Sequence, residues 1–255
     1  MRVLILGGTT EASAIAGGLA TGLPFEVTLS LAGRTAKPVL ANGVTTRSGG
    51  FGGPEGLARW LADNQIDAVI DATHPFAAQI SANATAATGT LGLPLCTVVR
   101  PPWTAMPGDR WETVSTLEDA ATALGDAPRR VFLSVGRQNI GAFQSAPSHA
   151  YVIRTIDPPE QAALPPDATV IESRAPFAIE DELDLLARHR IDVVVTKNAG
   201  GSATYAKIAA ARQLQIPVIV IERPLKAGRH TVPTAADARL WLDTLHENAR
   251  SERGV

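Results

Sequence analysis

The sequence predicts an α/β protein made of two similar halves with parallel sheets, related by a weak internal repeat. Three observations carry that prediction. Short runs rich in Val, Ile and Leu alternate with longer alanine-rich stretches, the pattern of strands buried on both faces by crossover helices. The chain also echoes itself: Ile66-Asp-Ala-Val-Ile-Asp-Ala-Thr-His-Pro75 returns as Ile191-Asp-Val-Val-Val-Thr-Lys-Asn-Ala-Gly200, and Pro94-Leu-Cys-Thr-Val-Val-Arg-Pro101 as Pro217-Val-Ile-Val-Ile-Glu-Arg-Pro224. Third, 255 residues suffice for two domains, and two similar halves imply a cleft between them.

In the first half, strands are expected near 2–6, 25–30, 44–47, 67–71 and 95–99, and helices near 10–20, 54–63 and 77–90. The second half should hold strands near 130–134, 150–154, 169–172, 191–196 and 217–221, with helices near 178–188 and 202–213. Each half closes on Arg-Pro, a loop and a helix with an acidic start, Thr116–Leu124 in one and Thr234–Leu242 in the other. The stretch Pro101–Trp111 holds three prolines and a glycine and reads as the linker. Domains are therefore expected over 1–110 and 111–255, with terminal strands or helices free to pack on the opposite domain.

Composition narrows the function. Hydrophobic residues make up 45% and charged residues 19%, ordinary for a globular enzyme, and no apolar run is long enough for a membrane span. The opening Met1–Gly8 turns into a glycine loop too early for a signal peptide, so it reads as a first strand. A net charge of −2 argues against nucleic-acid binding. The single cysteine, Cys96, offers neither a disulfide nor a metal pattern. A cytoplasmic monomer without a metal is expected.

Gly7-Gly8-Thr9-Thr10-Glu11 follows an apolar strand and opens a helix, so its free N–H groups could cradle a phosphate; a plain strand-to-helix turn has the same outline. The second strand ends in Ser30-Leu-Ala-Gly33-Arg34, where an acid would suit NAD and a Ser or Arg suits the 2′-phosphate of NADP. Taken alone, Arg34 is equally an exposed turn arginine. Taken with the loop, it predicts NADPH. The glycine run containing Gly50 reads as a mobile lid or a loose surface loop. Thr73, His74 and Pro75 end the fourth strand, in the crevice of a doubly wound sheet.

In the second half the echoed positions turn basic. Arg137 and Lys197 stand where the first half has neutral or acidic residues, and Arg174 ends a third strand, so three cations should converge to hold carboxylates. Arginine supplies 19 of the 23 basic residues, so some of these are equally solvated charges. Asn198, Gly200 and Gly201 open the next helix, with Lys207, and more weakly Arg212, as further candidates on it.

Leu6–Ala12, Asp71–Ala77, Ser173–Phe177 and Thr196–Gly201, in this order over nearly the whole chain, resemble the precorrin-6A reductases of cobalamin biosynthesis. The resemblance implies a fold of two Rossmann-like domains and NADPH-dependent reduction of one double bond of precorrin-6A, a polycarboxylate tetrapyrrole, to precorrin-6B. It also allows transient contact with neighbouring pathway enzymes. On that reading Gly7, Gly8, Thr9, Thr10, Glu11, Ser30, Gly33, Arg34, Gly50, Thr73 and Pro75 hold the cofactor. Arg137, Arg174, Lys197, Asn198, Gly200, Gly201, Lys207 and His74 hold the substrate, and His74, water or a substrate carboxylate supplies the proton. Three alternatives stay open: a cobalt-precorrin-6A reductase using NADH, a two-lobed nucleotide-sugar glycosyltransferase, and a non-catalytic NADP sensor.

Overall fold

The computed structural model describes residues 1–20, 24–33, 43–226, 228 and 230–253. Arg34 lies outside them, so the structure says nothing of its expected contact with the cofactor.

The chain divides into two units, 1–100 with 224–255, and 101–223. The first unit contains β1 (Arg2–Leu6), α1 (Thr10–Ala20), β2 (Glu26–Leu31), β3 (Thr45–Ser48), α2 (Gly53–Asp63), β4 (Ala68–Asp71), α3 (Ala78–Leu91) and β5 (Leu95–Val98). The second contains β6 (Trp111–Val114), α4 (Leu117–Ala123), β7 (Arg130–Ser134), a 3-10 stretch over Arg137–Ser145, and β8 (Ala150–Thr155). A second 3-10 turn (Gln161–Ala163), β9 (Asp167–Glu172), α5 (Ile179–Arg188), β10 (Val193–Lys197), α6 (Ala206–Gln213) and β11 (Val218–Ile221) complete it. β12 (His230–Val232) and α7 (Ala235–Arg253) then return to the first unit.

Both sheets are six-stranded and wholly parallel, in the orders β12-β5-β4-β1-β2-β3 and β6-β11-β10-β7-β8-β9. If β7 to β11 are read as copies of β1 to β5, the two orders are the same. The sixth strand of each is exchanged: β6 follows β5 in sequence but pairs with β11, whereas β12 follows β11 and pairs with β5. Residues 224–255 group with the first unit, and the stretch Pro101–Trp111 groups with the second.

The central strands are apolar throughout because helices cover both of their faces. Val3, Leu4, Ile5, Val69 and Ile70 are fully buried, as are Phe132, Leu133, Val194 and Val195 in the second unit. Each such side chain contributes about 1.5–3 kcal/mol by leaving water. One face of the first sheet packs Val3 and Ile5 on Ile15, Ala16 and Leu19 of α1 and Leu242 of α7. The other packs Leu4 and Leu6 on Leu57 and Leu61 of α2 and Ala84 and Ala87 of α3.

Three elements depart from expectation. β6 and β12 are short and carry polar residues, Trp-Glu-Thr-Val and His-Thr-Val, so no apolar run announced them. The helix expected from 202 begins at Ala206, because Ser202–Tyr205 form turns instead.

Candidate functional site

In the first unit the carboxyl edge of the sheet begins with Gly7 and Gly8. A Cβ on Gly7 would lie 2.6 Å from Leu29 Cδ1, so only glycine allows the loop this close to β2. Gly8 has φ 106°, with open space where a Cβ would point. Such a loop leaves its backbone N–H groups approachable by an anion at the start of α1. Thr9 serves the fold: its hydroxyl accepts from Ala12 N at 3.1 Å and donates to Ala72 O at 2.7 Å, capping α1 and tying it to β4. Thr10 donates to Glu11 Oε2 at 3.1 Å.

Glu11 would repel a phosphate if its charge stood alone. Arg100, just past β5, donates from Nη1 to both of its carboxylate oxygens, at 2.8 and 2.7 Å. Burial pushes the Glu11 pKa up, but the hydrogen bonds and charge of Arg100 outweigh it and hold the carboxyl below its ordinary value. A small pocket lies here, lined by Glu11, Ala72, Thr73, Pro75, Val98 and Arg100.

Thr73 is buried, its N–H and hydroxyl both directed at Asp71 Oδ1, at 3.0 and 2.6 Å. Lys226 completes this cluster, donating to Asp71 Oδ1 at 3.2 Å and Thr73 O at 3.0 Å. Burial lowers the Lys226 pKa, opposed by Asp71. His74 is half-buried, and its Nδ1 accepts from Phe76 N at 3.2 Å. That bond puts the proton of the neutral ring on Nε2.

At the outer edge, Ser30 and Arg47 pair in register across β2 and β3. Arg47 Nη1 donates to Ser30 Oγ at 2.7 Å and Gly49 O at 3.1 Å, and Nη2 to Gly50 O at 3.1 Å. The glycine run expected to be loose is therefore tied down from beneath. Gly33 stands beside it with φ 71°, where a Cβ would meet Ser48 Oγ at 3.3 Å.

In the second unit, Lys197 ends β10, Arg137 follows β7 by way of Gly136, and Arg174 follows β9. Arg174 is exposed; Arg137 and Lys197 are half-buried. The three stand along one carboxyl edge, with Lys197 and Arg137 on adjacent strands.

The neighbouring candidates have a different job. Asn198 accepts from Trp103 N at 2.8 Å through Oδ1 and donates to Trp103 O at 3.0 Å through Nδ2. Gly201 O accepts from Trp103 Nε1 at 2.7 Å. Gly200 has φ 65°, and a Cβ there would meet Pro101 O at 2.3 Å. These residues form a socket for Trp103. Lys207, a candidate for the substrate, is 2% exposed and donates to Thr204 O at 2.8 Å, 5.0 Å from the Trp103 ring. Burial, and then the charge of Arg154, depress its pKa to about 7. Arg212 is committed too, to Asp109 at 2.8 and 3.1 Å and to Tyr205 Oη at 2.6 Å.

Sequence reasoning missed Arg47, Arg100, Lys226 and the buried pair Arg154–Glu182, in which both guanidinium nitrogens meet both carboxylate oxygens beneath Phe177. Arg100 alone had a signal, the repeated Arg-Pro at the end of each half. Beside this pair an open cavity of about 530 Å³ is lined by Trp103, Phe177, Tyr205 and their neighbours.

A family model described as precorrin-6x reductase CbiJ/CobK matches residues 2–243. A precorrin-6A reductase of Sinorhizobium sp is 50% identical over 93% of this chain and 90% of its own. That of Rhodococcus erythropolis is 48% identical over 96% of this chain and 98% of its own. A solved structure titled CobK precorrin-6A reductase superposes with a TM-score of 0.90 at 47% identity, covering 96% of both chains.

Proposed function

This chain belongs to the precorrin-6A reductase family, oxidoreductases of cobalamin biosynthesis, and from that premise we propose that it reduces one double bond of precorrin-6A with NADPH to give precorrin-6B. The observation that carries the cofactor half is the loop at Gly7 and Gly8, where a glycine-only approach, open space and a helix start fit a pyrophosphate. The Glu11–Arg100 pair supports this, because it removes an unscreened negative charge from beside that loop.

When bound, the nicotinamide supplies the hydride; the chain supplies position and a proton. Backbone N–H groups of 8–10 would bind the phosphates, while the Gly7 N–H ties the loop to Ser30 O. Arg137, Arg174 and Lys197 take the acetate and propionate groups of the macrocycle, fixing its orientation by charge-assisted hydrogen bonds. His74, with its proton on Nε2, is the candidate to protonate or position the reduced carbon. Hydride from bound NADPH, together with one proton, would saturate the double bond, leaving NADP⁺. The same reading assigns the enzyme to the cytoplasm as a monomer, which cell fractionation and sedimentation check.

The test mixes purified protein, precorrin-6A and NADPH and follows the nicotinamide absorbance together with the macrocycle spectrum. Both should change in a one-to-one ratio. No coupled change, or an equal rate with NADH, would count against the reductase or the cofactor respectively.

A further inference from the structure

We propose that Arg47 is the residue that distinguishes NADPH from NADH, its guanidinium receiving the 2′-phosphate; this rests on the nicotinamide-dependent reduction proposed above. In an open parallel sheet a dinucleotide lies across the carboxyl ends, and the strand after the phosphate-loop helix reads the adenosine ribose. That strand is β2, and Gly7 N donates to its Ser30 O at 2.9 Å, joining the loop to it. Arg47 faces Ser30 in register, so both side chains leave the same face of the sheet at this end.

The charge on Arg47 is unlike that of the other arginines in ion pairs. Arg2, Arg100, Arg154, Arg212 and Arg239 each meet a carboxylate. Arg47 is half-buried, yet among the described residues it meets only neutral groups: a hydroxyl, two carbonyls, the Phe51 ring at 3.8 Å and the Trp60 ring at 5.5 Å. Burial without a counter-ion lowers its pKa. Such a charge is held at a cost that an arriving anion offsets. Three of its five N–H groups are used within the described residues. Nε and one hydrogen of Nη2 remain, a pair able to grip two phosphate oxygens at once. The bonds to Ser30, Gly49 and Gly50 and the stacked ring hold the guanidinium still, so little entropy is lost when the phosphate binds.

The experiment measures binding of NADP⁺, NAD⁺ and 2′,5′-ADP to the full chain by calorimetry. The wild type should favour NADP⁺ over NAD⁺. Arg47→Met should weaken NADP⁺ and 2′,5′-ADP by about 10- to 100-fold and leave NAD⁺ within about 2-fold. Arg47→Lys should fall between, since it keeps the charge without the fork. If the methionine variant does not fold, judged by urea unfolding, the lysine variant decides. Equal weakening of NADP⁺ and NAD⁺ in a folded variant would overturn the proposal and leave Arg47 as a tie for the glycine loop. Retained preference for NADP⁺ in the variants would also overturn it, while the NADPH reading survived. A wild type indifferent to the 2′-phosphate would sink both.

Discussion

Arg100 donates a hydrogen bond from one nitrogen to each oxygen of Glu11, joining the last residue of the first segment of its unit to the first turn of α1. Because the folded Glu11 pKa lies below its ordinary value of 4.5, its contribution to stability is complete above that value and disappears as the pH falls through the lower folded one. Urea midpoints of the wild type should therefore fall faster than those of Glu11→Gln between neutral pH and about pH 3. Parallel curves would show that the pair adds nothing. Arg100→Ala should also weaken NADP⁺ binding, because it bares a carboxylate beside the phosphate loop.

Lys207 moves stability with pH in the same direction but in a higher window, and through burial instead of pairing. Its folded pKa of about 7 lies below the ordinary value of 10.5, so the unfolded chain binds more protons between the two and stability should rise with pH across that window. Lys207→Met should flatten this rise and equal or exceed the wild type at pH 7, having removed a buried charge. Unfolding at pH 6.5, 8 and 9.5 decides it. A variant that keeps the full slope would place the titration elsewhere.

Asn198 holds the backbone of Trp103 from both sides. Asn198→Ala leaves two buried backbone groups without partners and should cost about 2–4 kcal/mol in chemical unfolding. A raised KM for precorrin-6A at unchanged stability would return Asn198 to the substrate.

Arg174→Ala and Lys197→Ala should raise the KM for precorrin-6A by about 10-fold each, the value of a charge-assisted hydrogen bond, with NADP⁺ affinity unchanged. Loss of NADP⁺ affinity instead would mean that the roles of the two units are exchanged.

Most of the fold was legible because the signals were local. Apolar runs such as Val3–Leu6 and Val193–Val195 can only be buried strands, and the echo between the halves foreshadowed the shared strand order. Thr116 and Asp119 form a capping box, while Thr234 and Asp237 make a related capping interaction, so the acidic helix starts could be read by spacing. β12 was not legible: its three residues have no apolar run, and pairing with β5 across the sheet makes them a strand. Side-chain partners were not legible for a related reason. Asn198 meets Trp103 and Lys226 meets Asp71 across long stretches of chain, and no local pattern says which polar residue will be consumed by the fold.

The exchanged strands also set an order of completion during synthesis. Residues 101–223 are contiguous and hold all six strands of their sheet, so that unit is finished once β11 has left the ribosome. The sheet begun at Arg2 must wait for His230–Val232 to cover the outer side of β5. Until then β5 presents an open hydrogen-bonding edge of the kind that invites mispairing. The part translated first is thus the part completed last, the reverse of the usual order for a protein of two domains.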